Sequence, residues 1–169
     1  AAATLTFMVG AEPDVFAEVE PLLSIMGKRA VHCGDAGAGQ AAKVCNNMIL
    51  ASSMIAVAEG FVLAEALGLD QQALFDVVST SSGSCWAVLA NCPVPGPVPT
   101  SPANRAFEGG FANKLMAKDL RLAASAAEQG RVEAQLGRHA LAIYEAMAAE
   151  SPDLDFSSVI EAVRARSLP

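Results

Sequence analysis

The feature that most constrains the fold is a stretch from Gln40 to Leu67 that contains no proline and closes on Gly68. It reads as one helix, because good helix formers dominate it and glycine commonly follows a helix end. At 1.5 Å per residue it spans roughly 40 Å, more than the width of a small domain. Apolar residues occupy most of its faces, so it must be covered on most sides. Its longest weakly charged piece, Val44 to Ala58, includes Asn46, Asn47, Ser52 and Ser53. That piece is too short and too polar to predict a membrane span.

Further helices are predicted over Gln71–Ser79 (capped by Asp70), Phe111–Gln129, Val132–Glu150 and Ser157–Arg166. Between them, Ser81–Gly110 carries Pro93, Pro95, Pro97, Pro99 and Pro102 and reads as irregular. Segments of that length are functional, organised by a partner surface, or mobile. Only the N-terminal part differs. Thr4–Gly10 alternates polar and apolar residues into a glycine, a strand pattern. Glu12-Pro13-Asp14 opens a helix that Gly27 ends, and Ala30–Cys33 is a second short strand. Two short strands do not make an independent sheet, so they predict one end of a larger one.

Composition bounds the function. The chain has 169 residues, enough for one compact domain or one domain with part of another. Its 11 Lys and Arg against 18 Asp and Glu give 11 − 18 = −7, without the basic footprint that nucleic acid requires. With 53% hydrophobic and 17% charged residues, disorder is excluded as the dominant state. A mean hydropathy of +0.37 predicts apolar surface for another subunit or domain to cover. Cys33, Cys45, Cys85 and Cys92 form no C-x-x-C pair and no zinc spacing, so a reduced intracellular protein without a metal is expected. Ala1 to Thr4 show no secretory signal pattern. His32 and His139 lack partners at a useful spacing and read as structural or exposed.

Two clusters carry chemistry. Gly37-Ala38-Gly39-Gln40-Ala41-Ala42 follows a strand and opens a helix, with Glu59 twenty residues beyond Gly39. That matches a dinucleotide fingerprint. However, the match is weak, because the helix runs past Glu59 and no strand returns, and a tight turn with close backbone packing is the favoured explanation of the glycines. Lys43 is the only charge between Asp35 and Glu59, and Asn46 and Asn47 lie three and four residues beyond it. These three share one helix face. A buried or half-buried lysine there would suit proton transfer, with the amides holding a substrate oxygen. A solvated lysine beside structural asparagines is the alternative.

Gly37 to Asn47 closely resembles the motif that opens the C-terminal domain of the β-hydroxyacid dehydrogenase family. The stretches Thr4–Gly10, Ser81–Trp86, Pro93–Gly96, Gly109–Phe111, Leu115–Leu120 and Asp155–Val159 resemble its hydroxyisobutyrate branch, in order and over almost the whole chain.

The resemblance implies a mainly α fold. Residues 1–36 would be the C-terminal remnant of an NAD-binding Rossmann domain. Residues 37–169 would be an all-helical substrate and dimerisation domain with a long central helix. It implies NAD-dependent oxidation of 3-hydroxyisobutyrate to methylmalonate semialdehyde, a step of valine breakdown. The general acid and base would be Lys43. Asn47 would orient the substrate, with Asn46 a nearby candidate. Lys118 would reach the cofactor, and Phe111 would pack against its nicotinamide end. Asp119 reads as a structural partner or cap.

Trp86 and the proline-rich segment would shape the substrate mouth or meet a second subunit. Cys92 is inserted between Asn91 and Pro93, where relatives place the asparagine directly before the proline, which predicts an altered loop. The expected partners are a small 3-hydroxy acid and further copies of the chain, as a dimer or tetramer, with no nucleic acid and no membrane. The expected location is the cytoplasm of a bacterium, or the mitochondrial matrix in a eukaryote. Without the rest of the Rossmann domain, the isolated chain is expected to be inactive. A sister reductase acting on glyoxylate or succinic semialdehyde, or a non-catalytic oligomerisation module, are the competing expectations.

Overall fold

The computed structural model describes residues 4–167. Residues 1–3 and 168–169, the outer ends of the two predicted domains, lie outside the described residues. Contacts divide the chain into two compact units, at Asn46 and Asn47, ten residues beyond the boundary expected from sequence.

The first unit begins with strand β1 (Thr6–Gly10), helix α1 (Pro13–Met26) and strand β2 (Arg29–Gly34). The strands pair in parallel, Phe7 opposite Ala30 and Met8 opposite Val31, with a register shift after Val9. Proline at the first position of α1 and Asp14 in its first turn suit a helix start. His32 stacks on Phe16 at 4.8 Å and its ring Nε2 meets the Ala11 carbonyl at 2.6 Å, the structural role expected of it. Leu22, Ile25 and Met26 of α1 are exposed.

Helix α2 (Ala38–Ala66) begins in this unit and runs on into the second. Its opening glycines are explained by packing. Gly39 is buried, and a Cβ there would collide with the carbonyl oxygen of Met8 on β1. The glycine thus lets the helix backbone lie directly on the strand. This close approach holds the first turns of α2 in the first unit, which is why the division falls beyond the glycine motif.

The second unit is helical. After α2 come α3 (Gln71–Thr80), α4 (Trp86–Leu89), α5 (Asn113–Gln129), α6 (Gln135–Glu150) and α7 (Val159–Ser167). Short 3₁₀ turns lie at Pro102–Arg105 and Phe156–Ser158. Ala51, Met54, Ala58, Phe61 and Val62 of α2 join Met116 and Leu120 of α5 and Tyr144 of α6 in one core. Asp70 caps α3 by accepting the Ala73 N–H at 3.0 Å. By length and composition, the whole of α2 is long and apolar enough to cross a membrane, although Val44–Ala58 alone is not.

The proline-rich segment is not a structureless loop. Cys92, Pro93, Val94, Val98, Ser101 and Phe107 are buried. Ser101 donates its hydroxyl to the Cys92 carbonyl at 2.6 Å, and Asn104 accepts the Gly96 N–H at 2.9 Å. Prolines fix the backbone, and these side chains satisfy the groups that it leaves unpaired. The Cys92 thiol lies in the core rather than at a mouth, and burial pushes its pKa up.

Candidate active site

Helix α5 places a carboxylate where none is cheap. Met116, Leu120 and Ala123 face the core, and Asp119 lies on that same face at helical spacing. A buried carboxylate needs partners. Among the described residues Asp119 has two: the Asn47 amide Nδ2 donates to its Oδ2 at 2.6 Å, and the Lys118 ammonium approaches its Oδ1 at 2.9 Å. Asn47 is half-buried, while the Lys118 side chain stays 55% exposed with its charge held beside the carboxylate.

This array brings together two residues assigned separately from the sequence, Asn47 on α2 and Lys118 on α5. Asp119, read from sequence as a structural partner or cap, is the link between them. With its nitrogen committed to Asp119, the Asn47 amide has a fixed orientation. Lys118 offers an exposed cation to an anionic group.

Phe111 sits two residues before α5. Its N–H is held by the Asp155 Oδ2 at 2.7 Å and its ring meets Phe156 edge-on, with centroids 6.0 Å apart. The ring is only partly buried. Lys43 and Asn46 are exposed on α2, so the buried setting weighed for Lys43 is not observed. The reason is its place in the helix, before the stretch from Ala51 to Val62 that enters the core.

Sequence reasoning missed Asp155 as a site-building residue. It is 1% exposed and also accepts from Asn91 and Ser157. Asp155 also contributes, after burial, to raising the Tyr144 phenol well above its usual range. Trp86 opens α4 and is exposed. Among the described residues, no three His, Cys, Asp or Glu side chains gather as a metal site. A cleft of about 470 Å³ lies between Met48–Ser53 and Glu133–Gly137, and the only charged residue in its lining is Glu133. We give it no catalytic role, because the chemistry-bearing groups are elsewhere.

Phe111 offers a partly exposed aromatic ring and Lys118 an exposed ammonium, residue types whose chemistry is compatible with the planar base and the anionic groups of a nicotinamide dinucleotide. A family model described as "NAD-binding of NADP-dependent 3-hydroxyisobutyrate dehydrogenase" matches residues 37–163. A probable 3-hydroxyisobutyrate dehydrogenase of Mycobacterium tuberculosis is 58% identical over 167 residues, 99% of this chain and 57% of that protein. The human mitochondrial 3-hydroxyisobutyrate dehydrogenase is 46% identical over 161 residues, 95% of this chain and 48% of that protein.

The solved M. tuberculosis 3-hydroxyisobutyrate dehydrogenase with L-serine matches with a TM-score of 0.93 at 57% identity, over 97% of this chain and 56% of that one. The chain spans about half the length of the curated relatives it matches. Matched by the family model over most of its length, the chain belongs to the 3-hydroxyisobutyrate dehydrogenase family of nicotinamide-dependent β-hydroxyacid dehydrogenases.

Proposed function

We propose that the protein carrying this chain oxidises 3-hydroxyisobutyrate to methylmalonate semialdehyde, as a step of valine breakdown, with Lys43 as general acid and base. The cofactor, when bound, accepts a hydride from the carbon that bears the hydroxyl. The Lys43 amine takes the hydroxyl proton as the carbonyl forms, and its ammonium returns that proton in the reverse direction. Asn47, its amide nitrogen held by Asp119, orients the substrate, and Asn46 assists it. Lys118 binds the cofactor by charge, and Phe111 packs on its nicotinamide end.

The observation that carries this reading is the pairing of Asn47 and Lys118 on one buried carboxylate. It joins the residue read as orienting the substrate to the residue read as binding the cofactor. The L-serine named with the M. tuberculosis relative supports the substrate class, since serine is itself a small 3-hydroxy acid. The preferred dinucleotide in this reading is NAD.

We further propose a homo-oligomer, dimer or tetramer, supported by exposed Ile49, Leu63 and Leu136. It takes no nucleic acid, in keeping with a charge of −7. It takes no membrane, because α2 commits Met54, Phe61 and Val62 to a protein core. Its location is the cytoplasm of a bacterium or, as in the relatives named mitochondrial, the mitochondrial matrix of a eukaryote.

The test is Lys43→Ala in the complete natural protein, assayed with 3-hydroxyisobutyrate, glyoxylate and succinic semialdehyde. Loss of a general base lowers kcat about 10²- to 10⁴-fold. Unchanged turnover of the variant would refute the lysine assignment. Preference of the parent enzyme for either aldehyde acid would refute the substrate.

A further inference from the structure

The backbone leading into Phe111 is strained. Ala106 and Phe107 both adopt left-handed conformations, φ 52° and 61°, and Gly109 and Gly110 follow at 73° and 74°. Consecutive non-glycine residues in that region persist only where surrounding bonds over-determine them, and they gather at functional sites. The bonds are present. Phe107 N–H donates to the Pro102 carbonyl at 2.9 Å, Asp155 N–H to the Phe107 carbonyl at 2.8 Å, and Phe156 N–H to the Phe111 carbonyl at 2.8 Å.

The Asp155 carboxylate closes the arrangement. Its Oδ1 accepts the Ser157 N–H at 3.0 Å, the Ser157 hydroxyl at 2.6 Å and the Asn91 amide at 3.1 Å. Its Oδ2 accepts the Phe111 N–H at 2.7 Å. A Cβ on Gly110 would collide with that Oδ2. Capping the Phe156–Ser158 turn requires one oxygen, and Ser157 bonds to Oδ1 alone. The second oxygen serves a different segment, 44 residues away in sequence. No ion pair to Asp155 occurs among the described residues, so hydrogen bonds carry the cost of burying it.

We propose that Asp155 is a positioning residue for the dehydrogenase reaction: through its Oδ2 it fixes the Phe111 backbone, and with it the ring that meets the cofactor. This rests on the role given to Phe111 above. The strained elbow delivers the Phe111 N–H to the carboxylate, and the partly buried ring then stands edge-on to Phe156.

The test is Asp155→Asn in the complete natural enzyme. The amide keeps its size and can leave an oxygen toward Ser157, which turns its NH₂ against the Phe111 N–H. Ser157→Ala is the control, since it removes a bond to the same carboxylate without touching Phe111. Losing the Phe111 anchor raises the KM for the nicotinamide cofactor about tenfold in Asp155→Asn. Hydrogen exchange in residues 107–113 quickens in the same variant. Ser157→Ala lowers Tm with KM and kcat unchanged.

The proposal is overturned if Asp155→Asn lowers Tm as the control does while its KM stays within about twofold of the parent. Should Asp155→Asn fail to accumulate folded, Gly110→Ala pushes Oδ2 from the Phe111 N–H and must raise the same KM; no rise overturns the proposal. Phe111→Ala separates the two claims. If it leaves the cofactor KM unchanged, the Phe111 role is wrong; if it raises KM while Asp155→Asn does not, only the Asp155 assignment falls.

Discussion

Asn47 donates its side-chain amide to Asp119 at 2.6 Å, joining α2 to α5 across 72 residues of chain. The bond fixes the amide nitrogen on a buried carboxylate. Removing Asp119 takes that acceptor from the Asn47 amide and leaves Lys118 without its neighbouring charge. In the complete natural protein, Asp119→Ala is expected to lower kcat/KM about 10- to 100-fold. Asp119→Asn keeps one acceptor for Asn47 and loses less. Steady-state kinetics of both variants check this, and equal activity in all three forms would sink it.

A second network sets acid stability. Arg164 on α7 pairs with Glu65 near the end of α2 and with Glu161 at 2.6 Å. The Arg164 hydrogen bond, opposed by desolvation, holds the Glu65 carboxyl below its ordinary pKa. A depressed carboxylate contributes stability that is fully present above its unfolded pKa, about 4.3, and disappears as pH falls through the folded value. Glu65→Gln is expected to cost about 1–2 kcal/mol at pH 7, between exposed and buried pairs. The cost shrinks below about pH 4. Denaturant titrations across pH 3–7 measure it, and a pH-independent difference would contradict the pairing.

Gly39→Ala tests the contact of α2 with β1. The added methyl meets the Met8 carbonyl, which is backbone and cannot turn aside. A loss of about 1–3 kcal/mol is expected, the usual cost of overpacking. An unchanged melting temperature would show that the helix does not lie on the strand.

Thiol labelling distinguishes the cysteines. Cys45 is exposed and Cys92 fully buried, with burial pushing the Cys92 thiol up. Under native conditions a thiol reagent should modify Cys45 readily and Cys92 only on unfolding. Mass-spectrometric mapping reads the order, and early modification at Cys92 would place it outside the core.

Much of this was legible in the sequence. Gly68 and Asp70 punctuate the chain where α2 ends and α3 begins, and α5 and α6 start only two or three residues later than expected. Amphipathic periodicity over three turns or more leaves a strong signal. The short α4 and the 3₁₀ turns did not show, because a single turn has no period and the prolines mask it. The Asp119 and Asp155 hubs were hidden for a different reason. Their partners lie 72, 64 and 44 residues away, and no local spacing encodes such a bond. Asp155 and Gly110 both lie in stretches that carry the resemblance, but what links them depends on an atom that only the fold brings near.

The shared acceptor at Asp155 also bears on how this protein can be redesigned. Asn91, Phe111 and Ser157 draw on one side chain, so changes at these positions will not add. A library that varies the proline-rich segment for new substrates while randomising Asn91 alone would discard good sequences for losing an anchor rather than for poor recognition. Varying Asn91 and Asp155 together would recover them.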